Sequence, residues 1–390
     1  MDTKPTEPTE YPTERKERKG YRISEIPLPS CADCMQNGSW DCMVPNLIRY
    51  HNGRLWFSLQ LAGGSGGIGS MNLDGSDYRQ FTDGFPEGSQ VMGLAVGGDG
   101  NFWFTPFHSR KYGRMTPEGK VTTFSLYGNL HPKSSERLKP KADSSRKQLI
   151  ELEALIQPYE IHSAPDGRLY LTVQDWIGGL EAHLTTGYVG RFFPEDPIES
   201  FEVFPVSGVP SGLAVGADGN VWSFAWHRWT DGQGGGITRI TPDGEQTFYP
   251  RPHRDDELVP FYPATPAFTT APIVFGADGN LWFVQEHIAS VGRFNVADGT
   301  YEYFASGLSP ETGVFGLVLG PDGAIYTVDG VTDPYTVLRI ATDGTVERIA
   351  SHSERSITTI SVAGMVTVDN DIYFAAREAD FIGKIEVLDS

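Results

Sequence analysis

The stretch Gly93-Leu94-Ala95-Val96-Gly97-Gly98-Asp99-Gly100-Asn101-Phe102-Trp103-Phe104 reads as an apolar strand, an Asp-Gly turn and an aromatic strand. Asp-Gly between two apolar runs is a strong hairpin signal, because both residues tolerate the backbone twist of a tight turn. The unit returns along the chain. Gly212-Leu213-Ala214-Val215 leads to Asp218-Gly219-Asn220-Val221-Trp222. Ile273-Val274-Phe275 leads to Asp278-Gly279-Asn280-Leu281-Trp282-Phe283, and Gly316-Leu317-Val318-Leu319 to Asp322-Gly323-Ala324-Ile325-Tyr326. Asn52-Gly53 with Trp56, Asp166-Gly167 with Tyr170, and a degenerate Asp369-Asn370-Asp371-Ile372-Tyr373 complete seven copies. Turn spacings between 44 and 67 residues fit four-stranded propeller blades of roughly 40–45 residues with insertions.

The second half of each unit repeats as well. Tyr112-Gly113-Arg114-Met115 is followed by Thr116-Pro117-Glu118-Gly119 and then Val121-Thr122-Thr123-Phe124. Third strands of the same kind begin at Ile68, Val189, Ile237, Val291, Val337 and Ile382. The seventh copy ends at Ile385-Glu386-Val387-Leu388 without an outer strand. Tyr21-Arg22-Ile23-Ser24-Glu25-Ile26-Pro27 has the character of that missing strand. The sequence therefore predicts an all-β, seven-bladed β-propeller over residues 21–390, its last blade closed by the N-terminal strand. Closure leaves only short, protected sheet edges. Residues 1–20 are polar, Pro-rich and of mixed charge, and are expected to form a disordered tail. The recurrent Trp56, Trp103, Trp222 and Trp282 are expected to pack between blades.

Composition narrows the partners. The 390 residues hold 50 acidic against 31 basic side chains, a net charge of −19, with 45 Gly and 27 Pro. So acidic a chain is a poor match for nucleic acid or for an anionic membrane surface, because both are negative. The first twenty residues contain no apolar core of a secretory signal, so a cytoplasmic location is expected. A monomer is expected too. Cys31, Cys34 and Cys42 have C-x2-C-x7-C spacing without a second CxxC. His51 offers a fourth ligand for zinc, against the plainer reading of reduced thiols or one local disulfide. Gly64-Ser65-Gly66-Gly67-Ile68-Gly69 matches a dinucleotide fingerprint in letters only, since no helix follows it to receive a pyrophosphate.

Taken together, the D/N-G-x-[LV]-W-F strands, the V-G-R strands and the T-P-D-G hairpins resemble the streptogramin lyase (virginiamycin B lyase) group of seven-bladed propellers. The resemblance covers about residues 21–390. It implies a catalytic His at the start of an inner strand and a Glu fourteen residues later, acting with Mg2+. The corresponding pairs here are Met92/Pro106, Tyr159/Val173, Ser211/Ala225, Ala271/Gln285 and Phe315/Asp329. None is His/Glu, so the family's metal-assisted chemistry does not transfer at those positions. No metal ligand set and no cofactor are expected, with Mg2+ entering only under a lyase alternative.

The extra length is one-sided. Asn129–Pro158, Asp175–Thr186, Trp226–Gly236 and Pro250–Thr270 all connect strands on the same face of a propeller. That face is expected to carry a capped site, and the basic insertion at 129–158, with a short amphipathic helix over Ser144–Ile156, is lid-like. The aromatic strands end there on Gln60, His108, Gln174, Trp176, Trp226, Gln285 and Asp329, with Arg377 on the last blade. Glu160 and His162 join them, where an inner strand loses its Gly. His227, Glu286 and His287 are the expected catalytic groups; Gln60, His108, Glu160, Gln174, Trp176, Trp226, Gln285, Asp329 and Arg377 are expected to bind substrate. Amides, imidazoles and indoles suit a flat, partly apolar organic molecule bearing carbonyl or hydroxyl groups.

The function expected from this list is a tailoring enzyme of secondary metabolism. It would catalyse a metal-free cyclisation or cycloaddition by general acid–base and hydrogen-bond assistance. Fungal cyclases of the hetero-Diels–Alderase kind are a suspected kinship that no motif carries. The alternatives are a Mg-dependent C–O lyase and a non-enzymatic protein-binding scaffold.

Overall fold

The computed structural model describes residues 17–18, 20–29, 44–60, 66–88, 90–107, 109–126, 156–175, 186–226, 235–252, 272–285, 290–305, 316–329, 335–351, 361–377 and 381–388. For residues 17, 18, 156, 175, 186, 226, 284, 285, 305, 350, 351, 361, 363 and 377 it describes the backbone alone.

Seven antiparallel sheets form seven blades. Blade 1 is Val44–His51, Arg54–Gln60, Gly66–Asn72 and Arg79–Phe81. Blade 2 is Gln90–Val96, Phe102–Phe107, Lys111–Met115 and Val121–Ser125. Blade 3 is Ile156–Ser163, Leu169–Asp175, Thr186–Phe192 and Glu202–Ser207. Blade 4 is Val209–Val215, Val221–Trp226, Gly236–Ile240 and Gln246–Pro250. Blade 5 is Ile273–Phe275, Leu281–Gln285, Ser290–Phe294 and Tyr301–Ala305. Blade 6 is Val318–Leu319, Ile325–Asp329, Thr336–Ile340 and Val346–Ser351. In blade 7, Ser361–Val368, Asp371–Arg377 and Phe381–Val387 take Tyr21–Pro27 as the outer strand, in register from Tyr21↔Val387 to Pro27↔Phe381. The expected closure by the N-terminal strand is present. A further pair, Glu17–Arg18, folds back on Tyr21–Arg22 through Gly20 at φ 98°, inside the segment expected to be a tail. The rest of that tail, the three cysteines and the 129–155 part of the lid-like insertion lie outside the described residues. Ile156 to Pro158 of that insertion are the start of blade 3's inner strand.

The turn chemistry explains the repeat. In each Asp-Gly turn the Asp Oδ1 accepts the N–H two residues on, from Asn101, Arg168, Asn220, Asn280 or Ala324. In blades 2, 3, 5 and 6 the same carboxylate takes a hydrogen bond from the second-strand aromatic. Trp103 Nε1 donates to Asp99 at 3.2 Å, Trp282 Nε1 to Asp278 at 3.1 Å and Tyr326 Oη to Asp322 at 3.1 Å. The third-strand Arg lies over the ring: Arg114 on Trp103, Arg239 on Trp222, Arg293 on Trp282. The Gly before that Arg, and before Lys384 in blade 7, is required by packing, because a Cβ on Gly113, Gly292 or Gly383 would strike Phe104, Phe283 or Phe374.

Seven apolar clusters fill the seven gaps between neighbouring blades, including the gap between blades 7 and 1, where Ile48, Leu55 and Phe57 meet Val368, Tyr373 and Ile382. Trp56, Trp103, Trp222 and Trp282 are buried in them, as expected. Burial of a side chain this size, ~150–250 Å2, is worth on the order of 4–6 kcal/mol before entropy is charged. His51 packs edge-on against Phe102 at the turn end of blade 1, 5.7 Å between ring centres. No described segment is helical, and so none is a helix long and apolar enough to cross a membrane.

Candidate functional site

The inner strands carry a shared irregularity near the loop-rich mouth. The pairing of inner and second strand slips between Pro45 and Ile48, Val91 and Gly93, Pro158 and Ile161, Pro210 and Gly212, and Val362 and Gly364. Each slip is a β-bulge that inserts one residue and re-aims the chain. The bulges put Asn46, Met92, Tyr159 and Ser211 at one level of the mouth. Second-strand hydroxyls satisfy the backbone there: Ser58 Oγ accepts from Leu47 N–H at 2.9 Å, Thr172 Oγ1 accepts from Glu160 N–H at 3.0 Å, and Thr105 Oγ1 donates to the Tyr159 carbonyl.

Register makes the blades comparable residue by residue. The inner-strand position opposite the repeated aromatic is Ala95, Ala214, Val274, Val318 and Val366 in five blades. In blade 1 it is Arg49, opposite Trp56, and in blade 3 it is His162, opposite Tyr170. Two residues earlier stand Gly93, Gly212, Gly316 and Gly364, but Glu160 in blade 3. A Cβ on Gly93 would come within 2.5 Å of the Tyr159 carbonyl, and one on Gly364 within 2.6 Å of the Ile48 nitrogen. Glycine is thus the default where adjacent inner strands touch.

Glu160 escapes that clash and uses the proximity. Its Oε2 accepts the Leu213 N–H of blade 4 at 2.8 Å and lies 3.5 Å from His162 Nε2. Arg49 Nη1 donates to the Ile48 carbonyl at 2.9 Å. Burial holds its guanidinium below the ordinary arginine range, and the charge of Glu160 opposes that shift. An arginine from blade 1 and a Glu–His pair from blade 3 therefore share one field along the inner strands.

Of the expected substrate-binding residues, Gln60 ends its strand half-buried. Gln174 is buried and donates from Nε2 to the Pro210 carbonyl of blade 4 at 3.4 Å. Asp329 is fully buried, with Arg348 Nη2 3.7 Å from its Oδ2. Trp226, Gln285 and Arg377 end second strands, and their side chains lie outside the described residues, as do His108, Trp176, His227, Glu286 and His287 altogether. Asn46 and Arg49 were not anticipated from sequence. Arg49 is recognisable only once register sets it against Ala95 and Val274. Asn46 is hidden because blade 1 turns tightly through Asn52-Gly53, so counting back from the turn lands on Pro45. Among the described residues no three His, Cys, Asp or Glu side chains form a metal-holding group.

A virginiamycin B lyase from Staphylococcus aureus, in a catalytically inactive form with quinupristin, superposes with a TM-score of 0.63 at 21% identity, covering 94% of this chain and 100% of that one. The ring has the fold of the streptogramin B lyases. A second streptogramin B lyase structure gives 0.62 at 20% identity, over 95% of this chain and 99% of its own. YCF48 bound to a D1 peptide gives 0.56 at 11% identity, over 97% and 98%. Neither a protein-family profile nor a curated protein matches the chain. The streptogramin lyase fold is thus shared from end to end, while the inner-strand positions are filled by Asn46, Arg49, Tyr159, Glu160 and His162.

Proposed function

We propose that this chain is a small-molecule enzyme of the tailoring kind, catalysing a metal-free cyclisation or cycloaddition at the loop-rich mouth. The observation that carries the reading is the Glu160–His162 pair, 3.5 Å apart on an inner strand where blades 2 and 4 hold Gly and Ala. Glu160 is fixed by the Leu213 N–H. It orients the imidazole through Nε2, which leaves Nδ1 to take up or deliver a proton. A protonated imidazole aimed at a substrate carbonyl lowers the barrier to ring closure by stabilising the charge that develops on oxygen. Buried polar groups on Asn46, Gln174 and Asp329 supply orientation around it.

The test is conversion. Purified protein is incubated with small-molecule extract of its source cells and, separately, with quinupristin, each with and without EDTA, and products are followed by mass and chromatography. The reading expects chelator-insensitive conversion of an extract component that falls at least ~100-fold in Glu160→Gln and His162→Ala. Chelator-sensitive conversion of quinupristin would make the chain a lyase instead. Capture of a protein with no small molecule converted would favour a scaffold.

A further inference from the structure

We infer that the mouth takes an anionic small molecule that also donates a hydrogen bond, its anion held by Arg49 and its O–H or N–H by Asn46. The inference rests on the small-molecule reading above and names the chemistry of the ligand.

Asn46 is 6% exposed, and its Nδ2 makes a weak contact with Met92 Sδ at 3.6 Å. Its Oδ1 is buried, and among the described residues no donor reaches it. A buried amide oxygen without a donor is costly, and a ligand O–H or N–H would satisfy it. Arg49 stands three residues along the same inner strand. One of its five N–H groups meets the Ile48 carbonyl, and among the described residues no carboxylate lies within ion-pair distance of it. Glu160 acts on it only through space, its Oε2 being held by Leu213 and His162. A half-buried guanidinium with a single neutral partner is an incomplete anion site, because its planar fork suits a carboxylate. Beside Asn46, Met92, Phe107 and Tyr159 form a separate apolar cluster, Phe107 and Tyr159 edge to face at 5.9 Å, which suits a flat apolar body. Three steps along the strand, across the bulge, put the two Cα atoms about 10 Å apart or less.

Para-coumarate matches this pattern: a flat ring, a carboxylate at one end and a phenol O–H at the other. Its binding to the full chain is measured by titration calorimetry, beside cinnamate, which lacks the hydroxyl, and methyl para-coumarate, which lacks the charge. Wild type is expected to bind para-coumarate about tenfold tighter than either control. Arg49→Gln is expected to erase the preference over the ester and keep that over cinnamate; Asn46→Leu is expected to do the reverse. The preference that survives in each variant certifies its folding, and Arg49→Lys is expected to retain both. Absence of saturable para-coumarate binding at millimolar concentration, or preferences unchanged in both variants, overturns the inference. Conversion of an extract component that Arg49→Gln leaves intact would overturn it while the enzyme reading stands. Selective binding without conversion would do the opposite.

Discussion

The two ends of the inner strands follow different rules. At the turn end one module recurs: an Asp that binds a backbone N–H, a ring N–H or O–H and an arginine, as at Asp278 with Asn280, Trp282 and Arg293. At the mouth only the backbone recurs. The bulges stand level in blades 1, 2, 3, 4 and 7, but in the first four their side chains are Asn46, Met92, Tyr159 and Ser211, with Glu160 beside Tyr159 and Arg49 further along, opposite Trp56. A ring of similar blades needs one solution for holding each hairpin shut. A binding site needs the opposite, since seven equal blades would offer a ligand seven equal walls. The turn end is where stability is repeated, and the mouth is where the repeat is broken.

The contrast is open to direct attack. The heaviest blow falls on the turn module's ring: Trp103→Ala, fully buried between blades 2 and 3, is expected to cost about 3–5 kcal/mol in denaturant unfolding. A cost below ~1 kcal/mol would deny the module its structural role. Next comes an exchange across the mouth. Gly93→Glu puts a Cβ against the Tyr159 carbonyl and is expected to destabilise by about 1–3 kcal/mol or more. Glu160→Gly, its mirror, removes the partner of the Leu213 N–H and costs about 1–3 kcal/mol for the orphaned donor. Equal tolerance of both would mean that blades 2 and 3 are interchangeable, and the contrast would fail.

Acid separates the two ends further. Burial would push the Asp278 carboxyl up, but hydrogen bonds from Asn280 and Trp282 and the charge of Arg293 outweigh it and hold the group below the ordinary aspartate range. A carboxylate depressed in the folded state contributes its stability above the unfolded pKa of about 4, and loses it as pH falls through the lower folded value. Asp278→Asn is expected to cost about 1 kcal/mol at pH 7 and to flatten the loss of stability below about pH 4, read from denaturation midpoints across pH. An unchanged acid profile would remove Asp278 from the account. The smallest effect belongs to the mouth. Arg49→Gln sacrifices one hydrogen bond and relieves a desolvated charge, so its melting midpoint should move by less than the equivalent of about 1 kcal/mol. A large drop would make Arg49 a structural residue and weaken its assignment to a ligand.

The turn end was legible in the sequence because its chemistry is local. Asp278-Gly279-Asn280 and Trp282 lie within five residues, and each copy repeats the same letters. The closing strand was legible because blade 7 visibly lacked an outer partner and Tyr21–Pro27 visibly offered one. Glu160 and His162 stood out for a related reason: each displaced a small residue in a known pattern. Asn46 and Arg49 did not, because their meaning depends on register. A bulge adds a residue that no pattern marks, and the shorter hairpin of blade 1 shifts the count by one. Sequence periodicity reads what repeats along the chain, and the site is assembled from what differs between strands that meet only around the ring.

The clasp of blade 7 has a consequence in time. Arg22 bonds Glu386 across 364 residues of chain. A ribosome adding ~5–20 residues per second releases the closing strand's partner roughly 20–70 s after making the strand itself. Through that interval Tyr21–Pro27 lacks its blade, with only Glu17–Arg18 to pair with. The strand that closes the ring precedes every strand it closes against, so the ring cannot shut until Phe381–Val387 has been made.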